Sequence, residues 1–182
     1  SPHSHVKLPY IRKMGFPNGI HRVGPLARLA VSDRMLGDIA PKLGERYRRF
    51  FGESPSNMMA YNAARFIELV YAIEASKSML EEARFEGPIR TEVKERAGEG
   101  VGVVEAPRGV LVHHYQTDDQ GLIRLANIIT PTAFNAPSIE QDLTVAAENS
   151  IQNILGSGRE EVFSKMEVLV RAYDPCLSCA TH

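Results

Sequence analysis

Between Ser54-Pro55 and Gly87-Pro88 the sequence carries one long helical pattern, and no other feature limits the fold as much. Ser as a cap and Pro in the first turn give the start. Met59, Phe66, Leu69, Val70, Ile73 and Met79 then recur at helical spacing to about Phe85. A helix this long, rich in Ala and Met, must pack against other helices. Upstream, Gly24-Pro25 opens a shorter helix through Leu29. Asp33 caps a turn carrying Met35, Leu36 and Ile39 that Pro41 breaks or kinks, and Lys42 to Phe51 reads as a basic helix ending at Gly52. Ser1 to Phe16 lacks periodicity and reads as a loop or edge strand.

From Ile89 the period changes. Gly100 to Glu105, Val110 to Gln116 and Leu122 to Thr130 are short, β-branched runs separated by the turn signals Pro107-Arg108-Gly109 and Thr117-Asp118-Asp119-Gln120-Gly121, as in a small antiparallel sheet. A capping box, Ser138 with Gln141, then introduces a helix with Ile139, Leu143, Ala146, Ile151 and Ile154 on one face and Gly156 at its end. Glu160 to Ala172 is a last amphipathic helix. The fold class expected is therefore mainly α with a small antiparallel β insertion, α+β, in a single piece. Its helices lie at about 25–86, its sheet at about 89–130, its further helices at about 138–172 and its tail at 173–182.

Composition excludes more than it selects. The chain has 21 basic and 22 acidic residues with no run of one sign, so it carries no electrostatic footprint for nucleic acid. No apolar stretch reaches the roughly 20 residues of a membrane span. It starts Ser1-Pro2-His3 without an initiator Met or signal-peptide pattern, which reads as a processed chain or one piece of a longer one.

Both cysteines sit in the last seven residues, Cys176-Leu177-Ser178-Cys179-Ala180-Thr181-His182. A C-x-x-C turn points two sulfurs the same way, at the separation that one metal ion or a reversible disulfide needs. Asp174-Pro175 in front starts a turn or short helix. Thioredoxin-like chemistry wants the pair after a strand, whereas here it follows a helix. A structural zinc site would take Cys176, Cys179 and His182 with a fourth ligand such as His3 or His5, although those two also read as plain loop residues.

Tyr173-Asp174-Pro175-Cys176-Leu177-Ser178-Cys179-Ala180-Thr181-His182 resembles the C-terminal signature of nickel-iron hydrogenase large subunits. Glu105-Ala106-Pro107-Arg108-Gly109 with Leu111 and His114, and Thr130-Pro131-Thr132 with Asn135, resemble the same family, as more weakly does Gly24-Pro25-Leu26-Ala27-Arg28. The wording of the tail is similar to the cytosolic, cofactor-linked members. The resemblance implies that Cys176 is a terminal nickel thiolate and that Cys179 bridges nickel to an iron holding carbon monoxide and cyanide. It implies a magnesium ion on His182 and the Ile128 carbonyl, and Arg108 over the open metal position, held by Asp174. Pro107, Leu111, Thr130 and Pro131 would wall the diatomic ligands, and the Thr132 hydroxyl and Arg108 would hydrogen-bond the cyanides.

The implied activity is reversible heterolytic cleavage of dihydrogen, for which a metal polarises the molecule and a nearby base takes the proton. The Cys176 thiolate suits that role better than Arg108, a poor base. His113 and His114 are adjacent in a strand and face opposite sides, so neither is assigned a role. The family's other C-x-x-C, with its accompanying carboxylate and magnesium-binding Glu, has no counterpart in this sequence. The expectation is a C-terminal half of a large subunit in the cytoplasm. It would need its N-terminal half, a small subunit with iron-sulfur clusters, and further electron-transfer subunits. The competing expectation is a non-enzymatic, zinc-stabilised or cofactor-free module of an electron-transfer complex.

Overall fold

Proline sets where the first helices begin. The computed structural model of the protein describes residues 8–32, 35, 37–53, 55, 57–84, 86–153 and 159–180. Helix α1 spans Pro25–Val31, α2 spans Ala40–Phe51 and α3 spans Met59–Glu82. Both α1 and α2 carry a Pro in the first turn, where the missing N–H has no helical partner to lose. Pro41 thus opens α2 and does not break a helix formed by the residues before it. The start of α2 is capped from another helix. Glu74 of α3 accepts the N–H groups of Asp38, Ile39 and Ala40, each at 2.9 Å. These bonds, that from Ala40 first, hold the Glu74 carboxyl below the usual carboxylate range. The expected caps Asp33 and Ser54 lie outside the described residues.

The long helix is where expected, but the other face is buried. Ala60, Tyr61, Ala64, Ile67 and Ala75 point into the protein, while Met59, Phe66, Leu69, Ile73 and Met79 are all at least half exposed. Periodicity could not choose, because α3 is apolar on both sides. Small Ala side chains decide the matter by letting neighbouring helices approach closely. The core joins α1, α2, α3 and the last long helix through Leu26, Leu29, Tyr47, Ala60, Tyr61, Ala64, Ile67, Ala172 and Tyr173.

The sheet follows the sequence closely. β1 (Gly98–Ala106), β2 (Gly109–Thr117) and β3 (Ile123–Ile129) pair antiparallel in that order. Ala106 faces Gly109 across a tight turn made by Pro107 and Arg108. The second turn is closed by Asp118, whose Oδ1 accepts the N–H groups of Gln120 and Leu122 at 3.0 and 2.9 Å. Residues 8–20 form hydrogen-bonded turns, with Ile11 N–H donating to the Gly19 carbonyl at 2.9 Å, and no edge strand.

Helices α4 (Pro131–Asn153), α5 (Arg159–Tyr173) and α6 (Leu177–Ala180) complete the chain. Here one expectation is corrected. α4 starts at Pro131, so Pro137 and Ser138 lie inside it and the Ser138 capping box does not form. The Ser138 hydroxyl instead reaches the His21 carbonyl at 3.4 Å. The expected stop at Gly156, and Ile154 with it, lie outside the described residues. Among the described residues no helix is long and apolar enough to cross a membrane.

Candidate metal centre

Tyr173 ends α5 inside the core, and the chain then turns sharply. Asp174 has φ 52, the left-handed region that Asp tolerates better than most residues. Cys176 stands immediately before the single turn of α6 and Cys179 lies on it, with Cα atoms 5.2 Å apart and sulfurs joined as a disulfide. The sequence favoured thiolates here. Metal ligation requires the two-electron reduced, dithiolate form of this same turn.

The start of α4 holds that turn at both cysteines. Cys176 N–H donates to Thr132 Oγ1 at 3.1 Å, and Thr130 Oγ1 donates to the Cys179 carbonyl at 2.9 Å. Thr132 is buried. These two bonds explain why a threonine-proline-threonine run stands at the helix entry. Thr130 accepts the Phe134 N–H through its carbonyl while its hydroxyl reaches the tail. Pro131 supplies the first helical residue, where Pro is best tolerated.

Arg108 reaches the tail from the hairpin turn. Its Nε donates to the Asp174 carbonyl at 2.8 Å and lies 3.2 Å from Asp174 Oδ2, so the expected pairing of these two residues is present. The turn itself is pressed against the entry to α1. Gly24 has φ 109, and a Cβ there would sit 2.8 Å from the Arg108 carbonyl oxygen. Gly109 has φ 138, and a Cβ there would collide with Val23. Only glycine satisfies both the backbone and the space at these positions. Val23 is clasped in turn by Asn135, which accepts its N–H at 2.9 Å and donates to its carbonyl at 3.2 Å. Arg28 binds Glu68 through two N–H groups at 2.5 and 2.6 Å, and this bond, more than the one to Glu105, raises its pKa further.

A second polar set anchors the residue before Asp174. The Tyr173 hydroxyl donates to Asp142 Oδ2 at 2.5 Å, and Arg22 donates to both oxygens of the same carboxylate at 2.7 Å. Burial, and then the bond to Asp142, push the Tyr173 phenol well above its ordinary range, so it remains a donor. Its ring packs against that of Tyr61 in the core, centroids 5.0 Å apart and tilted by 41°.

The structure thus brings Arg108, Thr130, Pro131, Thr132, Asp174, Cys176 and Cys179 together from three stretches of chain. Pro107 sits in the same hairpin turn, and Leu111 is half-buried two residues beyond Gly109 in β2. Ile128 lies in β3, 42% exposed, two residues before Thr130. His182, His3 and His5 are outside the described residues. His114 pairs with Glu99 at 2.7 Å and His113 with the Tyr115 hydroxyl at 2.8 Å. Sequence reasoning gave Asn135 and Arg28 only as letters of a motif, and it missed Arg22 and Asp142. No local pattern marks a side chain whose partner is a backbone group 112 residues away.

Two sulfurs on one turn are soft donors suited to nickel, iron or zinc. Among the described residues no group of three or more His, Cys, Asp or Glu converges as a metal site. The described chain offers a two-sulfur half-site, and its donors fit thiophilic metals that take further ligands from elsewhere.

A family model described as nickel-dependent hydrogenase matches residues 3–182. An F420-non-reducing hydrogenase subunit of Methanothermobacter thermautotrophicus is 42% identical over 184 residues, an alignment covering 100% of this chain and 38% of that protein. The NAD-reducing hydrogenase HoxS subunit beta of Cupriavidus necator is 37% identical over 183 residues, covering 98% and 37%. A crystal structure of an NAD+-reducing NiFe-hydrogenase in the H2-reduced state superposes with a TM-score of 0.87 at 38% identity, covering 100% of this chain and 40% of that one. The chain spans about two fifths of the length of these relatives, less than the half expected.

Proposed function

The chain belongs to the nickel-dependent hydrogenase family, as the C-terminal region of its large subunit, and from that premise we propose that it supplies half of a nickel-iron active site for reversible oxidation of dihydrogen to two protons and two electrons. The observation that carries the reading is the convergence of Arg108, Thr130 and Thr132 on the Asp174 to Cys179 turn. Cys176 and Cys179, as thiolates, would hold the nickel-iron centre. When bound, the nickel-iron centre with its carbon monoxide and cyanide ligands would supply the polarising Lewis acid and the electron sink.

The chain's own groups do the rest. Sγ of Cys176 takes one proton as general base, because a thiolate is far more basic toward it than a guanidinium. Arg108 carries a cation that Asp174 keeps in place beside the sulfur turn, and with the Thr132 hydroxyl it would donate to the cyanide ligands of the bound centre. Pro107, Leu111, Thr130 and Pro131 wall the site and limit water. The Ile128 carbonyl and His182 would hold a magnesium ion.

The remaining sulfur ligands belong to the N-terminal part of the large subunit. Support for such a neighbour comes from α3, whose outward face carries Phe66, Leu69, Ile73 and Leu80, all more than half exposed. A long helix that exposes large apolar side chains on its outward face as well as burying its inward one is suited to a further covering neighbour. Iron-sulfur clusters of a small subunit take the electrons, with further electron-transfer subunits beyond it. A cytoplasmic, reducing setting keeps Cys176 and Cys179 as thiols. In the assembled enzyme, Cys176→Ser and Cys179→Ser are each expected to abolish dihydrogen uptake and nickel retention. Full turnover by either variant would remove that cysteine from the site.

A further inference from the structure

We infer that Arg28 is a positioning residue for Arg108, fixing the two peptide groups that lead into it. The inference rests on the hydrogenase reading only for its consequence in turnover. A guanidinium has five N–H donors in one plane, and Arg28 uses all five. Nε and one hydrogen of Nη2 grip Glu68 at 2.5 and 2.6 Å. Nη1 donates to Glu105 at 2.7 Å and to the Ala106 carbonyl at 3.0 Å. The second hydrogen of Nη2 donates to the Pro107 carbonyl at 3.0 Å.

Glu68 aims the fork, and the fork holds two successive carbonyls of the hairpin turn. On its other side, the Arg108 carbonyl rests on Gly24, four residues before Arg28 and at the entry to the same helix. The backbone from Ala106 to Arg108 is therefore gripped from α1 and its entry, and α3 fixes the gripping Arg28 through Glu68. Arg108 then spans to Asp174, two residues before Cys176. None of these Arg28 bonds reaches the tail, so its influence on the sulfur turn passes through Arg108. Lys cannot replace it, since an ammonium is a point charge with three donors and no planar fork.

The test uses the assembled hydrogenase with Arg28→Lys, Arg108→Lys and the double variant. Amide hydrogen exchange across residues 105–110 should rise about tenfold or more in Arg28→Lys, with α4 and α5 unchanged, because the turn loses two of its anchors. Nickel and iron content should stay at the parent level. Dihydrogen turnover should fall about tenfold to a hundredfold through a lower kcat. The double variant should be no slower than Arg108→Lys alone, since both changes act through one group. Losses that multiply would mean that Arg28 acts independently, and parent-like exchange across 105–110 would overturn the clamp outright. If Arg28→Lys does not assemble, Glu105→Gln decides in its place. Its half-exposed carboxylate can be neutralised without unfolding, and a smaller rise in exchange over 105–110 is expected, no rise being contrary. Absence of dihydrogen turnover in the parent assembly would defeat the hydrogenase reading alone, and the exchange measurement would still judge the clamp.

Discussion

The core and the sulfur turn are built by opposite means. Leu26, Leu29, Tyr47, Ala60, Tyr61, Ala64 and Ile67 hold the helices by shape and burial. The turn at Cys176 and Cys179 is held by directed bonds from Thr130, Thr132 and Arg108, groups 44 to 66 residues away in sequence. Non-directional burial tolerates small adjustments, whereas a metal half-site needs its donors at fixed positions, and only directed bonds supply that. Tyr173 joins the two regimes. Its ring is core and its hydroxyl belongs to the Asp142–Arg22 network, so the tail leaves the core from an anchored residue.

The contrast predicts effects of different kind and size. Ile67→Ala is expected to cost about 2–5 kcal/mol of stability, because it leaves a cavity between packed helices. That loss would be read as a lowered unfolding midpoint, with the metal content of the folded fraction unchanged. Loss of metal without loss of stability would show that the core and the turn are not separate. Thr132→Val should do the reverse. It removes the acceptor for the Cys176 N–H in a side chain of similar shape, costing about 1 kcal/mol in stability but about tenfold or more in nickel retention. The assay is nickel per protein after dialysis against a chelator.

Glu74→Gln sharpens the comparison at a directed bond remote from the site, and its effect is the smallest. The Glu74 carboxyl is held below its ordinary value in the folded protein by three backbone N–H groups. The stability it contributes is therefore fully present above its unfolded pKa and is lost as pH falls through the folded one. The parent should exceed the variant in unfolding midpoint at neutral pH. The gap should close below about pH 4, where a free Glu protonates. A gap independent of pH would mean that Glu74 acts by packing alone.

What can be read in the sequence divides along the same line. Burial and turn chemistry leave local marks, so Gly24-Pro25, the Pro107-Arg108-Gly109 hairpin and the C-x-x-C tail are legible, and so is the fold class. Directed bonds leave none. Pro137-Ser138 looks like a helix entry because Ser so often caps, yet Ser138 spends its hydroxyl on His21, and the helix begins at Pro131. Glu74 looks like an ordinary surface residue of α3 although it caps α2. The buried face of α3 differs from the expected one because Tyr61 and Ile67 go inward among the small Ala60, Ala64 and Ala75, while Phe66, Leu69, Ile73 and Met79 point outward.

The central claim is that the sulfur turn is half of a nickel-iron site. An infrared spectrum of the natively purified assembly, in the window of metal-bound carbon monoxide and cyanide stretches, tests it directly beside a nickel and iron count. The account predicts sharp bands of both ligands with nickel and iron present. Stoichiometric zinc on Cys176 and Cys179 with no such bands would contradict it.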